Sequence, residues 1–258
     1  AAVFASPIGN SLIMKDGAQY AFRMIGLAYI LIVVIASFFI KKAPAGYKPA
    51  GWNPPEQVTG KSMVNKNWLE MLKTPVFYVV ISMFFVGAFS GLMIAANART
   101  IGTSMFGLSA TAAALYVSLY SIANSSGRFI WGSVSDKIGR SKTLYIIYTV
   151  VALALAIIAF VPGQIGFVVG IVGLGICFGG VMGVFPSIVM ENYGPVNQGV
   201  NYGIVFSGYS IAAYFAPSIA AQIATANQGD FSVAFYVAIV LALVGIVLNA
   251  IYRKITHR

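Results

Sequence analysis

A single arginine within an apolar stretch is where this sequence most clearly offers chemistry. Arg128 stands nine positions before Lys137, which at 1.5 Å per residue puts it roughly 13 Å deeper along a helix axis. Ser121, Asn124 and Ser125 precede it at i−7, i−4 and i−3, so a polar stripe shares its helical face. An intramembrane cation requires a compensating anion, and no Asp or Glu falls in the middle of any apolar segment of this sequence. Two roles fit: pairing with an acid outside this chain or with an anionic ligand, or snorkelling to the nearer water interface. Arg23 lies closer to the start of its apolar segment and reads as interfacial. Tyr116, Tyr120, Tyr209 and Tyr214 lie far enough into apolar segments to donate hydrogen bonds in a cavity, with ordinary packing as the alternative for each.

Other chemistries lack their parts. His257 is the single histidine and Cys177 the single cysteine, so neither a zinc site nor a Ser-His-Asp arrangement can be assembled. Gly173-Leu174-Gly175 meets Phe178 where a dinucleotide loop has its third glycine, and Gly60-Lys61-Ser62 has Pro55 where a phosphate loop has its first. The sequence is expected to be neither an enzyme nor a cofactor binder.

The elements that position Arg128 follow from composition. The chain is 59% hydrophobic and 9% charged, with a mean hydropathy of +0.85, whereas about a quarter of the residues of a soluble domain are charged. Successive apolar runs of about 20 residues can each cross a bilayer core. Lipid cannot satisfy backbone groups, and continuous apolarity excludes alternating barrel strands, so the fold class is an all-α membrane protein. The opening Ala1-Ala2-Val3-Phe4 lies inside an apolar run with no signal-peptide pattern, and is read as a start within a transmembrane helix.

Residues 1–13 read as the end of one helix, Lys15-Asp16-Gly17 as a turn, and Tyr20 to Ile40 as a span. Residues 41–74 carry four prolines and six lysines and read as an aqueous linker with one amphipathic turn near Trp68 to Leu72. Thr74-Pro75 opens a helix, as N-cap and first position, expected to run to about Ala98. Further spans are expected at Ala110–Ser133, Thr143–Phe160, Gly166–Met190, Asn201–Thr225 and Phe231–Tyr252.

The net charge of +10 sorts by loop rather than forming a nucleic-acid surface. Twelve of the 16 basic residues fall on one side: Lys41, Lys42, Lys48, Lys61, Lys66 and Lys73, then Lys137, Arg140 and Lys142, then Arg253, Lys254 and Arg258. Lys15 and Arg99 fall on the other. Positive residues stay in the cytoplasm, so the first set marks the cytoplasmic side, where it also favours anionic lipid. The expected partners are the lipid bilayer and a small-molecule substrate, with no nucleic acid.

Gly166, Gly170, Gly173, Gly175, Gly179, Gly180 and Gly183 crowd one span before Pro186. In a membrane such spacing lets helices approach closely and slide. Gly132, Asp136, Lys137, Gly139 and Arg140 form a cytoplasmic loop pattern in which the glycines allow a tight turn and close helix approach, and Asp136 can form a charge cluster that breaks during a conformational change.

That segment, Gly132-Ser133-Val134-Ser135-Asp136-Lys137-Ile138-Gly139-Arg140, resembles the loop signature of the major facilitator superfamily, Gly-x-x-x-Asp-[Arg/Lys]-x-Gly-[Arg/Lys]. The resemblance implies a twelve-helix bundle of two halves around a site near the midplane. The chain would cover about the last seven and a half helices: residues 1–40 ending the N-terminal half, 41–74 the linker, 75–252 the C-terminal six-helix domain and 253–258 a cytoplasmic tail. The missing N-terminal half would then be a partner of this chain.

Over nearly its whole length the chain also resembles the oxalate/formate antiporter family. Gly51-Trp52-Asn53-Pro54-Pro55, Leu72-Lys73-Thr74-Pro75 with Phe77-Tyr78, Gly127-Arg128-Phe129-Ile130-Trp131-Gly132, Phe185-Pro186-Ser187 and Asn201-Tyr202-Gly203 carry that likeness. The resemblance implies a small-carboxylate carrier in which Arg128, at the position of an eighth-helix arginine, binds the substrate; Tyr209, Asn124 and Tyr120 are the further candidate substrate-binding residues. A planar guanidinium suits a carboxylate through paired charged hydrogen bonds. Oxalate carriers of the family have a lysine on the eleventh helix where Tyr209 stands here, so the expected substrate is a monocarboxylate such as lactate, pyruvate or formate. The expected mechanism is alternating access, as proton symport or anion exchange, in a bacterial cytoplasmic membrane. A sugar or drug carrier and a non-transporting receptor or scaffold are the competing readings.

Overall fold

A computed structural model describes residues 2–40 and 64–256. The linker signature Gly51-Trp52-Asn53-Pro54-Pro55, His257 and Arg258 lie outside the described residues. The chain divides into two compact units, Ala1–Ser62 and Met63–Arg258. Among the described residues every regular element is a helix.

The first unit contains α1, Ala2–Phe39, whose backbone leaves helical geometry at Gly17 (φ 84°, ψ 165°). The turn expected at Lys15-Asp16-Gly17 is therefore present as a kink. A β-carbon would strain this backbone, so glycine is required at that point. Phe22, Leu27, Ile30 and most other large side chains of α1 are exposed within the chain.

The second unit begins with the short α2, Trp68–Leu72, closed by a capping box in which Glu70 N–H donates to Asn67 Oδ1 at 3.0 Å and Asn67 N–H to Glu70 Oε2 at 2.8 Å. It continues with α3 (Pro75–Phe106), α4 (Ala110–Ile138), α5 (Arg140–Phe160), α6 (Gly163–Tyr193), α7 (Gln198–Val205), α8 (Ser207–Ala226) and α9 (Ser232–Thr256). α3 and α6 are the central helices, each with 61% of its apolar window buried against 28% for α7 and α8 together.

Several ends differ from the sequence expectation for one physical reason. Polar residues lower hydropathy without breaking a helix, so α3 continues through Arg99, Thr103 and Ser104 until Gly107, in the left-handed region at φ 62°, stops it. Likewise α4 runs through Asp136 and Lys137, and most of the expected loop Gly132–Arg140 is helical. Gly139 (φ 92°) alone separates α4 from α5, and Arg140 is the first residue of α5. The span expected from Asn201 to Thr225 is made by α7 and α8, which meet at Phe206 in helical geometry (φ −64°, ψ −16°) and form one apolar stretch, Gln198–Ala226.

Contacts gather the helix ends into two sets. At one end Lys66 N–H meets Tyr193 O, Arg140 meets Glu191, and Asn249 Nδ2 donates to Ser141 O. At the other, Ser104 Oγ donates to Gly229 O and Gln164 Nε2 to Tyr116 Oη. Lys66, Lys73, Lys137, Arg140, Lys142, Arg253 and Lys254 belong to the first end, and Arg99 to the second, matching the sorting read from the loops.

Six helical stretches are long and apolar enough to cross a membrane by length and composition. α4 has the length, 29 residues, but Ser121, Asn124, Ser125, Ser126 and Arg128 keep it out of the six. The helix bearing the candidate site is thus the polar member of an apolar bundle, packed against α3, α5 and α6.

Candidate functional site

Glycines set α4 in place. An added Cβ at Gly179 would collide with Asn124 O, one at Gly175 would lie 2.9 Å from Tyr120 O, and one at Gly183 would lie 2.8 Å from Arg128 O. These three, one turn apart on α6, receive the α4 backbone at the very turns that carry Tyr120, Asn124 and Arg128. Gly127 of α4 answers them, packed on Ile176 O. The remaining glycines serve other neighbours: Gly166, Gly170 and Gly173 pack on Val161, Ile158 and Ala154 at α5, and Gly180 on Trp131 and Ile147. Between apolar helices in lipid, association depends on such close packing rather than on a hydrophobic driving force.

Arg128 is exposed on this seam and makes no ion pair among the described residues. One turn before it, Asn124 Nδ2 is buried with no hydrogen-bond partner. Tyr202 of α7 and Tyr209 of α8 share Phe84 of α3 as a neighbour, the Tyr202 ring centroid lying 6.2 Å from it. Tyr209 packs among aromatic rings, with centroids 4.7 Å from Phe206, 6.0 Å from Phe84 and 6.3 Å from Phe178. Tyr120 is buried beside the same cluster, its ring 6.5 Å from Phe178, and its hydroxyl donates to Gly91 O at 2.7 Å. That donor is committed to α3, so in this conformation Tyr120 forms wall rather than offering a free hydroxyl. The arrangement combines one cation, an unsatisfied amide donor and two phenols, a donor-rich set suited to an anion with a flat body.

The other polar tyrosines go elsewhere. Tyr214 is 71% exposed, and Tyr116 bonds to Gln164 and lies edge-on to Phe167. In the sequence Tyr202 stands out only through the family likeness of Asn201-Tyr202-Gly203. Its place beside Phe84 depends on how α7 packs on α3, and its spacing of seven from Tyr209 is the signal that could have found it.

The second polar constellation closes the α4–α5 junction. Arg140 reaches Asp136 Oδ1 at 2.6 Å and, through Nε, Glu191 Oε1 at 3.0 Å, and its Nη1 also bonds to Ser135 Oγ. Ser135 in turn donates to Gly132 O at 2.7 Å. Glu191, at the end of α6, is the member that the sequence did not single out. Lys137 is exposed and outside this cluster. The expected close helix approach does not occur at Gly132, where a Cβ would meet nothing within 4 Å; it falls at Gly127 instead. Cys177 is buried in α6, and no group of three or more His, Cys, Asp or Glu side chains comes together among the described residues.

An all-helical bundle with repeated membrane-length apolar helices defines an integral, multi-pass membrane protein. The chain belongs to the Major Facilitator Superfamily, whose family model matches residues 1–195 and, in a second match, residues 93–258. It is 29% identical over 248 residues to the oxalate:formate antiporter of Oxalobacter formigenes, covering 94% of this chain and 56% of that protein. It is 30% identical over 209 residues to the uncharacterized MFS-type transporter YhjX of Escherichia coli (strain K12), covering 80% and 50% respectively. A shorter likeness, 30% over 129 residues, links 48% of the chain to 24% of the apicoplast pyruvate carrier 1 of Toxoplasma gondii. The chain spans about half the length of the first two of these relatives.

Proposed function

We propose that the whole protein is a secondary carrier of small carboxylates, with lactate, pyruvate or formate as substrate, working by alternating access in a bacterial cytoplasmic membrane. The observation that carries this reading is Arg128: a cation on a membrane helix, with no ion-pair partner among the described residues, one turn from an unsatisfied Asn124 amide on a seam where Tyr209 stacks on Phe178. A carboxylate bound there would receive a bidentate pair from the guanidinium and further donors from Asn124 and Tyr209. The printed names of two relatives, an oxalate:formate antiporter and a pyruvate carrier, support the substrate class.

One cation favours a monoanion, because the second charge of oxalate would find a phenol where a second cation is needed. The Arg140 cluster, at the opposite end of α4 from Ser109, would hold one conformer and release it as the halves move. Coupling takes one of two forms, proton symport or anion exchange.

The test is transport by full-length protein in proteoliposomes, using a panel of labelled carboxylates with an internal pH indicator. Counterflow of a labelled monocarboxylate supports the reading, acidification of the lumen on uptake or exchange stoichiometry assigns the coupling, and absence of flux across the panel contradicts it.

A further inference from the structure

Residues 64–66 lie across the turn joining α6 to α7 and are held there through main-chain groups. Lys66 N–H donates to Tyr193 O at 2.9 Å. The Lys66 carbonyl receives two side-chain amides from α7, Asn201 Nδ2 at 2.9 Å and Asn197 Nδ2 at 3.2 Å. Gly194 provides the seat: its φ is +84°, and a Cβ there would collide with Val64 O and Asn65 Oδ1. The strap is fastened at its other end by the α2 capping box and by Met71, which is fully buried.

Asn201 is the unusual member. It is fully buried, and its Oδ1 has no partner among the described residues. Burying an amide is costly unless its groups are bonded, so the bond to Lys66 O is the chief compensation for this side chain. The next residue is Tyr202, and Tyr209 follows it by seven, about two helical turns, which sets both phenols on one face. Both rings pack on Phe84, and Tyr209 also stacks on Phe178, whose neighbour Gly179 is packed on Asn124 O, one turn before Arg128. Each residue of slip turns a helix by about 100°, so the Asn201 bond and the facing of Tyr202 are one geometric setting.

We propose that Asn201 is a positioning residue for the carboxylate site. By gripping the Lys66 carbonyl it fixes the rotation and height of α7, and thereby holds Tyr202 and Tyr209 in the aromatic cluster with Phe84 and Phe178, beside the α4–α6 seam that carries Arg128. The end of the linker thus acts on α7 through its main chain alone. The proposal rests on the carrier reading for the ligand alone; the strap and its effect on α7 stand apart from it. Because the gripped group is a main-chain carbonyl, the Lys66 ammonium plays no part. Asn197 holds the same carbonyl one turn earlier and contributes less.

The test uses full-length protein in proteoliposomes, with Cys177 and any other native cysteine replaced by Ala, and the best transported of lactate, pyruvate and formate as probe. Loss of one buried hydrogen bond predicts that Asn201→Ala raises KM about tenfold while Vmax stays within about twofold, and that Asn197→Ala raises KM about two- to threefold. Lys66→Ala leaves both unchanged. A disulfide between Asn65→Cys and Val196→Cys, formed in the Asn201→Ala background, restores the KM. A readout free of substrate is the maleimide labelling rate of Tyr209→Cys, which shifts severalfold with Asn201→Ala and returns with the disulfide. Unchanged KM and labelling in correctly inserted Asn201→Ala overturns the proposal, as does an equal effect from Lys66→Ala. If Asn201→Ala does not insert, an Asn197→Ala protein with native KM and native Tyr209→Cys labelling overturns it. If no protein moves the probe yet the labelling shift and its rescue persist, the carrier reading falls and the positioning role stands.

Discussion

Arg128 and Arg140 lie twelve residues apart on adjoining helices, and the protein treats the same side chain in opposite ways. Arg140 is 15% exposed and saturated by Asp136, Glu191 and Ser135. Arg128 is exposed on the seam between α4 and its neighbours, with no acid beside it among the described residues. The carboxylates that hold Arg140 are 66% and 49% exposed, so each pair contributes on the order of 0.2 to 1 kcal/mol, enough to bias a conformational balance without locking it. A charged hydrogen bond formed away from water by Arg128 would contribute about 1.5 to 3 kcal/mol to whatever it binds. The comparison separates a guanidinium spent on holding a junction from one that, on the proposed reading, is left for a ligand.

Substitution of the free arginine tests this most severely. Arg128→Gln is expected to abolish carboxylate transport, and Arg128→Lys to remove most of it, because an ammonium keeps the charge but loses the planar fork. Near-native flux in a correctly inserted Arg128→Gln protein leaves snorkelling or packing as the role of that residue. Next in size is the supply of a second cation: Tyr209→Lys is expected to shift preference from monoanions toward oxalate, measured by oxalate competition against labelled lactate or formate at fixed pH. An unchanged preference places residue 209 outside the contact surface.

The seat of α4 comes third. Gly179→Ala forces a methyl against Asn124 O, and overpacking of this kind costs about 1 to 3 kcal/mol. The melting temperature in detergent and the affinity should both fall, whereas Gly132→Ala, which meets nothing within 4 Å, should change neither. Equal effects from the two glycines contradict the seam. The smallest effect belongs to the paired arginine: Asp136→Asn is expected to slow turnover by up to about fivefold, in line with one exposed pair, while equilibrium binding stays native. Unchanged turnover removes the junction from the mechanism.

Much of this was legible in the sequence because membrane helices are encoded by local apolarity. The spans, the kink at Gly17, the Thr74-Pro75 start and the turn at Trp68 to Leu72 all follow from short stretches read in place. Helix ends were less legible. Arg99 to Ser104 and Asp136 to Lys137 are polar yet helical, and only the positive φ of Gly107 and Gly139 marks the stops. In the site, Arg128 and Asn124 declared themselves as polar residues in an apolar segment. Tyr202, Glu191 and Asn201 did not, because each matters through a residue more than 50 positions away, and a single sequence carries no record of such contacts.

Equilibrium binding of a labelled monocarboxylate to purified full-length protein tests the central claim most directly, with Arg128→Gln and Asp136→Asn measured side by side. The account predicts that Arg128→Gln weakens binding by roughly tenfold to more than a hundredfold, the equivalent of one charged hydrogen bond, while Asp136→Asn binds as the native protein does. Native affinity in Arg128→Gln, or a loss of affinity shared equally by the two variants, would contradict it.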